Sequence, residues 1–193
     1  KVSVEIIMPL FMGALFVIIG NYMPKCKQSY TLGIKLPWTL NDEENWNKTL
    51  EAYKAKYPED YKEYELWMNR EFPVDLENDE DFWTFENKPN ATRNISGEIL
   101  NRLAKMQPNL FGGSADLAPS NKSELKGKEY FSAQTPQGEN IHYGIREHAM
   151  AAIVNGIYLH GGATPYCATF FVFTDYMKNA MRMAALMKLP VTY

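Results

Sequence analysis

Hydrophobic and polar positions divide the chain into four zones. Residues 1–24 are mostly apolar, and residues 6–24 carry no charge. That run approaches the roughly 20 apolar residues a membrane helix needs. Pro9, Gly13 and Gly20 are tolerated in such a helix, and Lys25 and Lys27 just beyond it suit the cytoplasmic side. A buried core helix and a signal peptide are the alternatives, although Pro24-Lys25 is a poor cleavage site. Residues 25–48 read as a polar loop containing Trp38 and Trp46. Residues 49–90 are acidic and aromatic, with helical stretches over 50–56 and 60–70 and punctuation at Pro58, Pro73 and Pro89. They read as an irregular helical connector that packs on a surface and lacks its own core.

Residues 91–193 alternate helical and strand periods. Ile95, Ile99, Leu103 and Met106 fall at helical spacing and predict a helix over 93–106. Residues 109–111 lead into Gly112-Gly113-Ser114, a short strand and turn. Strands are expected over 140–143 and 164–169, and helices over 146–160 and 170–188. Gly161-Gly162 closes the first of these helices. Residues 190–193 begin another strand. Strands alternating with helices argue an α/β fold whose parallel sheet is covered on both faces. The sheet is expected to be incomplete, because the sequence stops as a strand begins. No internal repeat is visible.

Composition adds little. Apolar residues make up 46% and charged residues 22%, as in a globular protein. The net charge of −3 and the lack of a basic stripe argue against nucleic acid as a partner. Cys26 and Cys167 show no metal or redox spacing and read as reduced, buried thiols. Asn-x-Ser/Thr matches at Asn47, Asn90, Asn94 and Asn121 carry no weight without a cleavable signal.

Four features bear chemistry. The run Gly112-Gly113-Ser114-Ala115-Asp116-Leu117-Ala118-Pro119-Ser120-Asn121 allows close backbone approach and sets Asp116 at a strand end, where α/β sheets bind ligands. It lacks the Gly-Lys-Ser/Thr ending of a Walker loop, and alone it is as consistent with a polar turn. Glu147, in His142-Tyr143-Gly144-Ile145-Arg146-Glu147-His148-Ala149-Met150, opens an apolar helix. There a carboxylate is either a dipole partner or, in a dry pocket, a group that shares a proton with a ring nitrogen. Phe170, Phe173 and Tyr176 recur at i, i+3, i+6, which places them on one helix face as core or as a stacking wall for a planar ring. Arg93, with Ser120, is either a solvated surface group or a fork for a phosphate.

Taken together, residues 112–121, 141–150 and 169–187 closely resemble transketolase. The resemblance runs from about residue 50 to 193 and includes Tyr53-Lys54-Ala55-Lys56-Tyr57-Pro58. Its 112–121 run is not shared by the related 1-deoxyxylulose-phosphate synthases and pyruvate dehydrogenases. The resemblance implies a thiamine-diphosphate pyrimidine-binding domain over 91–193, preceded by a connector over 49–90. It implies that Glu147 hydrogen-bonds N1′ of the cofactor's aminopyrimidine, in an enzyme that moves a two-carbon ketol unit from a ketose phosphate to an aldose phosphate. It implies that Phe170, Phe173 and Tyr176 wall the pyrimidine, with Phe173 stacking on it. Asp116 then lies near the cofactor at a subunit interface, and Arg93 and Ser120 hold the sugar phosphate. His142 lies in the same motif, and His148 takes no catalytic role. A homodimer in the cytoplasm, using Mg2+ or another divalent cation, is the implied state of the parent family. Family members hold the diphosphate and its metal on a domain with a Gly-Asp-Gly motif, which this sequence lacks. Metal ligands are therefore expected outside this chain, and the chain alone is expected to show no ketol transfer.

The first 48 residues follow another pattern. Gly20-Asn21-Tyr22-Met23-Pro24-Lys25, Tyr30-Thr31-Leu32-Gly33-Ile34-Lys35-Leu36-Pro37-Trp38-Thr39-Leu40 and Glu44-Asn45-Trp46 resemble SdpI-type bacterial immunity membrane proteins, with Lys35 at a position usually held by Arg. That resemblance implies membrane association through residues 4–24 and a chimera joined near residues 47–50. It also implies a second reading of the whole chain, as a fragment of a membrane immunity or interaction protein.

Overall fold

The computed structural model describes residues 40–71 and 75–193. The expected membrane helix at residues 4–24, Cys26, and most of the SdpI-type loop lie outside the described residues. No helix among the described residues is long and apolar enough to cross a membrane. The described residues fall into two units, 40–65 and 66–193.

The first unit is helical. α1 (Leu40–Lys56) carries Asp42 and Glu43 in its first turn and Lys54 and Lys56 in its last, which complements the helix dipole at both ends. Pro58 opens α2 (Pro58–Met68), whose last turn belongs to the second unit. Proline suits a first helical position because its missing N–H has no helical partner there. Lys54 lies 4.7 Å from the ring centre of Tyr61, and Lys62 pairs with Glu59 at 2.8 Å. α1 corrects the sequence reading: residues 40–48, expected as loop, are helical. First-turn acidic residues and good helix formers such as Glu43 and Glu44 extend the helix beyond its expected start at residue 50.

The second unit is built on a parallel sheet of order β2-β1-β3, comprising β1 (Leu110–Ser114), β2 (Asn140–His142) and β3 (Thr164–Ala168). Thr192 continues it in parallel beside Tyr166, with the Cys167 amide donating to the Thr192 carbonyl at 3.0 Å. A parallel sheet needs cover on both faces. On one face α4 (Thr92–Met106) brings Leu100, Leu103 and Ala104 onto Leu110, Leu125 and Tyr166. On the other, α6 (Glu147–His160) and α7 (Thr174–Leu186) pack Met150, Ala151, Val154, Met177 and Ala180 around Cys167, Tyr143 and Ala115. Tyr166 and Cys167 are neighbours in β3 yet serve opposite faces, as the period of two along a strand requires.

The connector is anchored by a few contacts. Asp79 caps α3 (Glu80–Trp83), accepting from the Phe82 amide at 2.8 Å, and buried Phe82 holds the segment down. Arg102 of α4 donates to the carbonyls of Asp81, Phe82 and Thr84 at 2.9, 2.6 and 2.8 Å and lies 4.4 Å over the Phe85 ring. Arg70 donates to the Tyr158 carbonyl at 2.9 Å.

Two expectations change. Gly112 and Gly113 are strand residues, not a turn. A methyl on Gly113 would lie 2.0 Å from the Ile141 carbonyl oxygen, and one on Gly112 would lie 2.2 Å from that of Tyr166. Close approach of neighbouring strands, not chain reversal, requires these glycines; Asp116 reverses the chain at φ 64. The expected helix over 170–188 is also shorter. Phe170 is extended, Phe171–Phe173 forms a 3-10 turn, and α7 begins at Thr174, whose hydroxyl donates to the Phe171 carbonyl at 2.7 Å. Three consecutive bulky residues, Phe171, Val172 and Phe173, have low helix propensity and hold the start back.

Cys167 is buried and unbonded, and burial pushes its thiol up from 9.0 to about 12. Burial, and then Cys167, raise the Tyr193 phenol from 10.0 to about 12. An unfolded chain releases these protons earlier than the folded one, so the folded state loses ground as pH rises from about 9 towards 12. Alkaline urea titrations are expected to show a falling midpoint over that window and a flat one from pH 7 to 8.5. Peptide mapping after iodoacetamide treatment at pH 8 is expected to find Cys167 labelled only in denatured chain.

Candidate functional site

Several of the candidate residues gather at the C-terminal ends of the parallel strands. β1 runs into the Asp116 reversal and the short helix α5 (Ala118–Asn121). A polar network fixes this loop: Ser114 Oγ lies 2.6 Å from Ser123 Oγ, Asn121 donates to Ser114 Oγ at 2.9 Å, and the Tyr166 hydroxyl donates to the Ser123 carbonyl at 2.7 Å. β2 leads through Gly144 at φ 64 into α6, where Arg146 donates to the Tyr143 carbonyl at 3.0 Å. Glu147 is the first residue of α6, half-buried, at the positive end of the helix dipole. Beyond β3, the rings of Phe170 and Phe173 are 6.2 Å apart and 2° from parallel, and Phe173 and Tyr176 are 6.2 Å apart at 23°.

These elements enclose an open-sided depression of about 480 Å³ lined by Ala115, Asp116, Leu117, Ile145, Glu147, Phe173 and Tyr176. Four residues singled out in the sequence thus meet: Asp116, Glu147, Phe173 and Tyr176. Phe170 stands behind Phe173 and is not part of the lining. The aromatic set forms a stack across a 3-10 turn, where a single helical face was expected. Arg93 and Ser120 are exposed and outside the lining, on α4 and α5. α4 lies so close to the residue that ends α5 that a methyl on Gly97 would lie 2.6 Å from the Lys122 carbonyl oxygen. His142 is exposed and stacks on Tyr130 at 3.7 Å and 5°. Ala115, Leu117 and Ile145 were not singled out, because apolar side chains carry no chemical signal; their only marker is membership of the two motifs that hold Asp116 and Glu147. Among the described residues no cluster of three or more His, Cys, Asp or Glu is placed to hold a metal ion.

The sequence matches the family described as "Transketolase, pyrimidine binding domain" over residues 88–193. It is 49% identical over 152 residues to the chloroplastic transketolase of Craterostigma plantagineum, covering 78% of this chain and 29% of that one. The transketolase of Halalkalibacterium halodurans is also 49% identical over 152 residues, covering 78% and 22%. The chain therefore spans less than a third of these relatives. Among solved structures, a transketolase from Leishmania mexicana superposes with a TM-score of 0.68 at 33% identity, covering 78% of this chain and 22% of that one. A transketolase from Pichia stipitis in complex with sedoheptulose-7-phosphate gives a TM-score of 0.67 at 33% identity, covering 78% and 23%.

Proposed function

The chain belongs to the transketolase family through its pyrimidine-binding domain, and on that premise we propose that its depression receives the aminopyrimidine ring of thiamine diphosphate. One observation carries the reading: a carboxylate at a helix start, the Asp116 loop and two aromatic rings border one depression at the sheet's C-terminal edge. α/β sheets bind ligands at such edges. The residues fit a planar heteroaromatic ring. Phe173 supplies a face, Phe170 backs it in parallel, and Tyr176 closes one side.

In this reading Glu147 holds the proton shared with the ring nitrogen N1′ and orients the ring by that bond. Asp116 borders the ring from the strand-end loop. Thiamine diphosphate, when bound, supplies the electron sink for breaking the bond beside a ketose carbonyl. Arg93 and Ser120 hold the phosphate of the sugar, Arg93 through its two-pronged guanidinium. The solved P. stipitis enzyme with sedoheptulose-7-phosphate supports a sugar phosphate as the substrate class. The reaction of the full-length protein is then transfer of a two-carbon ketol unit between a ketose phosphate and an aldose phosphate. The diphosphate and its divalent cation are held by a different domain. A second copy of the chain covers the rim, where Ile145, Phe171 and Val172 are 78%, 90% and 65% exposed.

Calorimetric titration with thiamine diphosphate tests the reading. A hydrogen bond to a charged group contributes about 1.5–3 kcal/mol. Glu147→Ala is therefore expected to weaken binding about tenfold or more, with little change in melting temperature. Equal affinity of wild type and E147A would overturn the assignment.

A further inference from the structure

Glu147 opens α6, and Phe173 and Tyr176 stand at the start of α7. Both helices follow strands of one parallel sheet, so both turn their first residues towards the edge that carries the depression. How far one helix is advanced along the other therefore fixes where the Glu147 side chain stands against the aromatic wall. The seam between them is apolar, with Met150, Ala151 and Val154 of α6 packed with Met177 and Ala180 of α7. Such contacts have no direction and resist sliding weakly. One polar group interrupts them. Asn155 is buried in α6, and its Nδ2 donates to the Ala180 carbonyl of α7 at 2.9 Å. Its Oδ1 accepts from the Tyr193 hydroxyl. The amide can stand only this way round, because a carbonyl accepts and never donates. The Ala180 carbonyl lies inside a helix, where the amide four residues on also serves it. Helix α7 thus has no need of Asn155 to satisfy that group.

We infer that Asn155 is a positioning residue of this site, holding α6 and α7 in the register that sets Glu147 against Phe173 and Tyr176. The inference rests on the pyrimidine reading above and has Asn155 act on the ring only through Glu147. A single buried asparagine suits the task, since its hydrogen bonds are directional and can fix the register of paired helices at some cost in stability. The tolerance is narrow. A displacement of about 1 Å takes a hydrogen bond of ordinary length out of range.

Asn155→Leu keeps the branched outline of the side chain and removes its donor and acceptor. Tyr193 is 37% exposed, so water can meet its hydroxyl. N155L is therefore expected to melt within about 3 °C of wild type. Its affinity for thiamine diphosphate, read by calorimetric titration, is expected to fall about fivefold, as for coupled groups. On an E147A background the same substitution is expected to change affinity by less than about twofold, because the contact it serves is already gone. A residue needed only for the fold would weaken both backgrounds alike. Asn155→Ala, which cannot overpack the seam, is expected to repeat the pattern. Wild-type affinity in both N155L and N155A, equal losses with and without Glu147, or loss of the fold in both variants would overturn the inference. If E147A binds more weakly and the Asn155 variants do not, only the Asn155 assignment fails. If E147A binds as wild type does, or wild type does not bind, the pyrimidine reading and this assignment fail together.

Discussion

Gly113→Ala is expected to lower stability by about 3 kcal/mol or more, enough to unfold a large fraction of a marginal domain. The added methyl would lie 2.0 Å from the Ile141 carbonyl oxygen, 3.0 Å from its carbon and 3.1 Å from its nitrogen. All three are backbone atoms, so no side chain can rotate away. Relief requires β1 and β2 to part, which breaks the pairing of Gly113 with Ile141 and Ser114 with His142. That pairing sets the Asp116 loop against the start of α6, so the depression should be lost with the stability. Urea unfolding of G113A beside wild type measures the first effect. Binding of thiamine diphosphate by the fraction that remains folded measures the second.

Asn140→Ala is expected to cost about 3 kcal/mol, for a different reason. Asn140 is buried, and its side chain joins β2 to the long loop before it. Oδ1 accepts from the Leu125 amide at 2.8 Å, while Nδ2 donates to the carbonyls of Leu125 and Lys128 at 2.9 and 3.0 Å. Truncation leaves the buried Leu125 amide unmet, at about 1–3 kcal/mol before relaxation, and removes the donor to the part-buried Lys128 carbonyl, while the Leu125 carbonyl keeps the Lys128 amide at 3.2 Å. Leu125 is itself nearly fully buried, so water reaches its amide poorly. Denaturant titration should show the lost stability, and the Leu125 amide should exchange much faster in N140A. Unchanged exchange at Leu125 would show that the loop is held by other means.

Much of the sheet was legible because local pattern and tertiary role agree. The apolar faces of α4 and α6, the Gly161-Gly162 stop and the strand at residues 164–168 all follow from period and turn chemistry. The misreadings fall where tertiary contacts decide. Gly112-Gly113 looks like a turn in one dimension, yet its glycines are needed because the flanking strands come too close for a Cβ. Phe170, Phe173 and Tyr176 have helical spacing, but only Tyr176 is in an α-helix; the other two reach the same stack through an extended residue and a 3-10 turn. Arg93 and Ser120, which the family resemblance assigns to the sugar phosphate, are exposed on α4 and α5 outside the depression.

Chemical-shift mapping of the 15N-labelled chain with added thiamine diphosphate tests the central claim most directly. The account predicts that the largest amide shifts fall on Asp116, Ile145, Glu147, Phe173 and Tyr176, which border the depression. Undisturbed amides at those five positions at millimolar ligand, or largest shifts on α1 and α2, would contradict it.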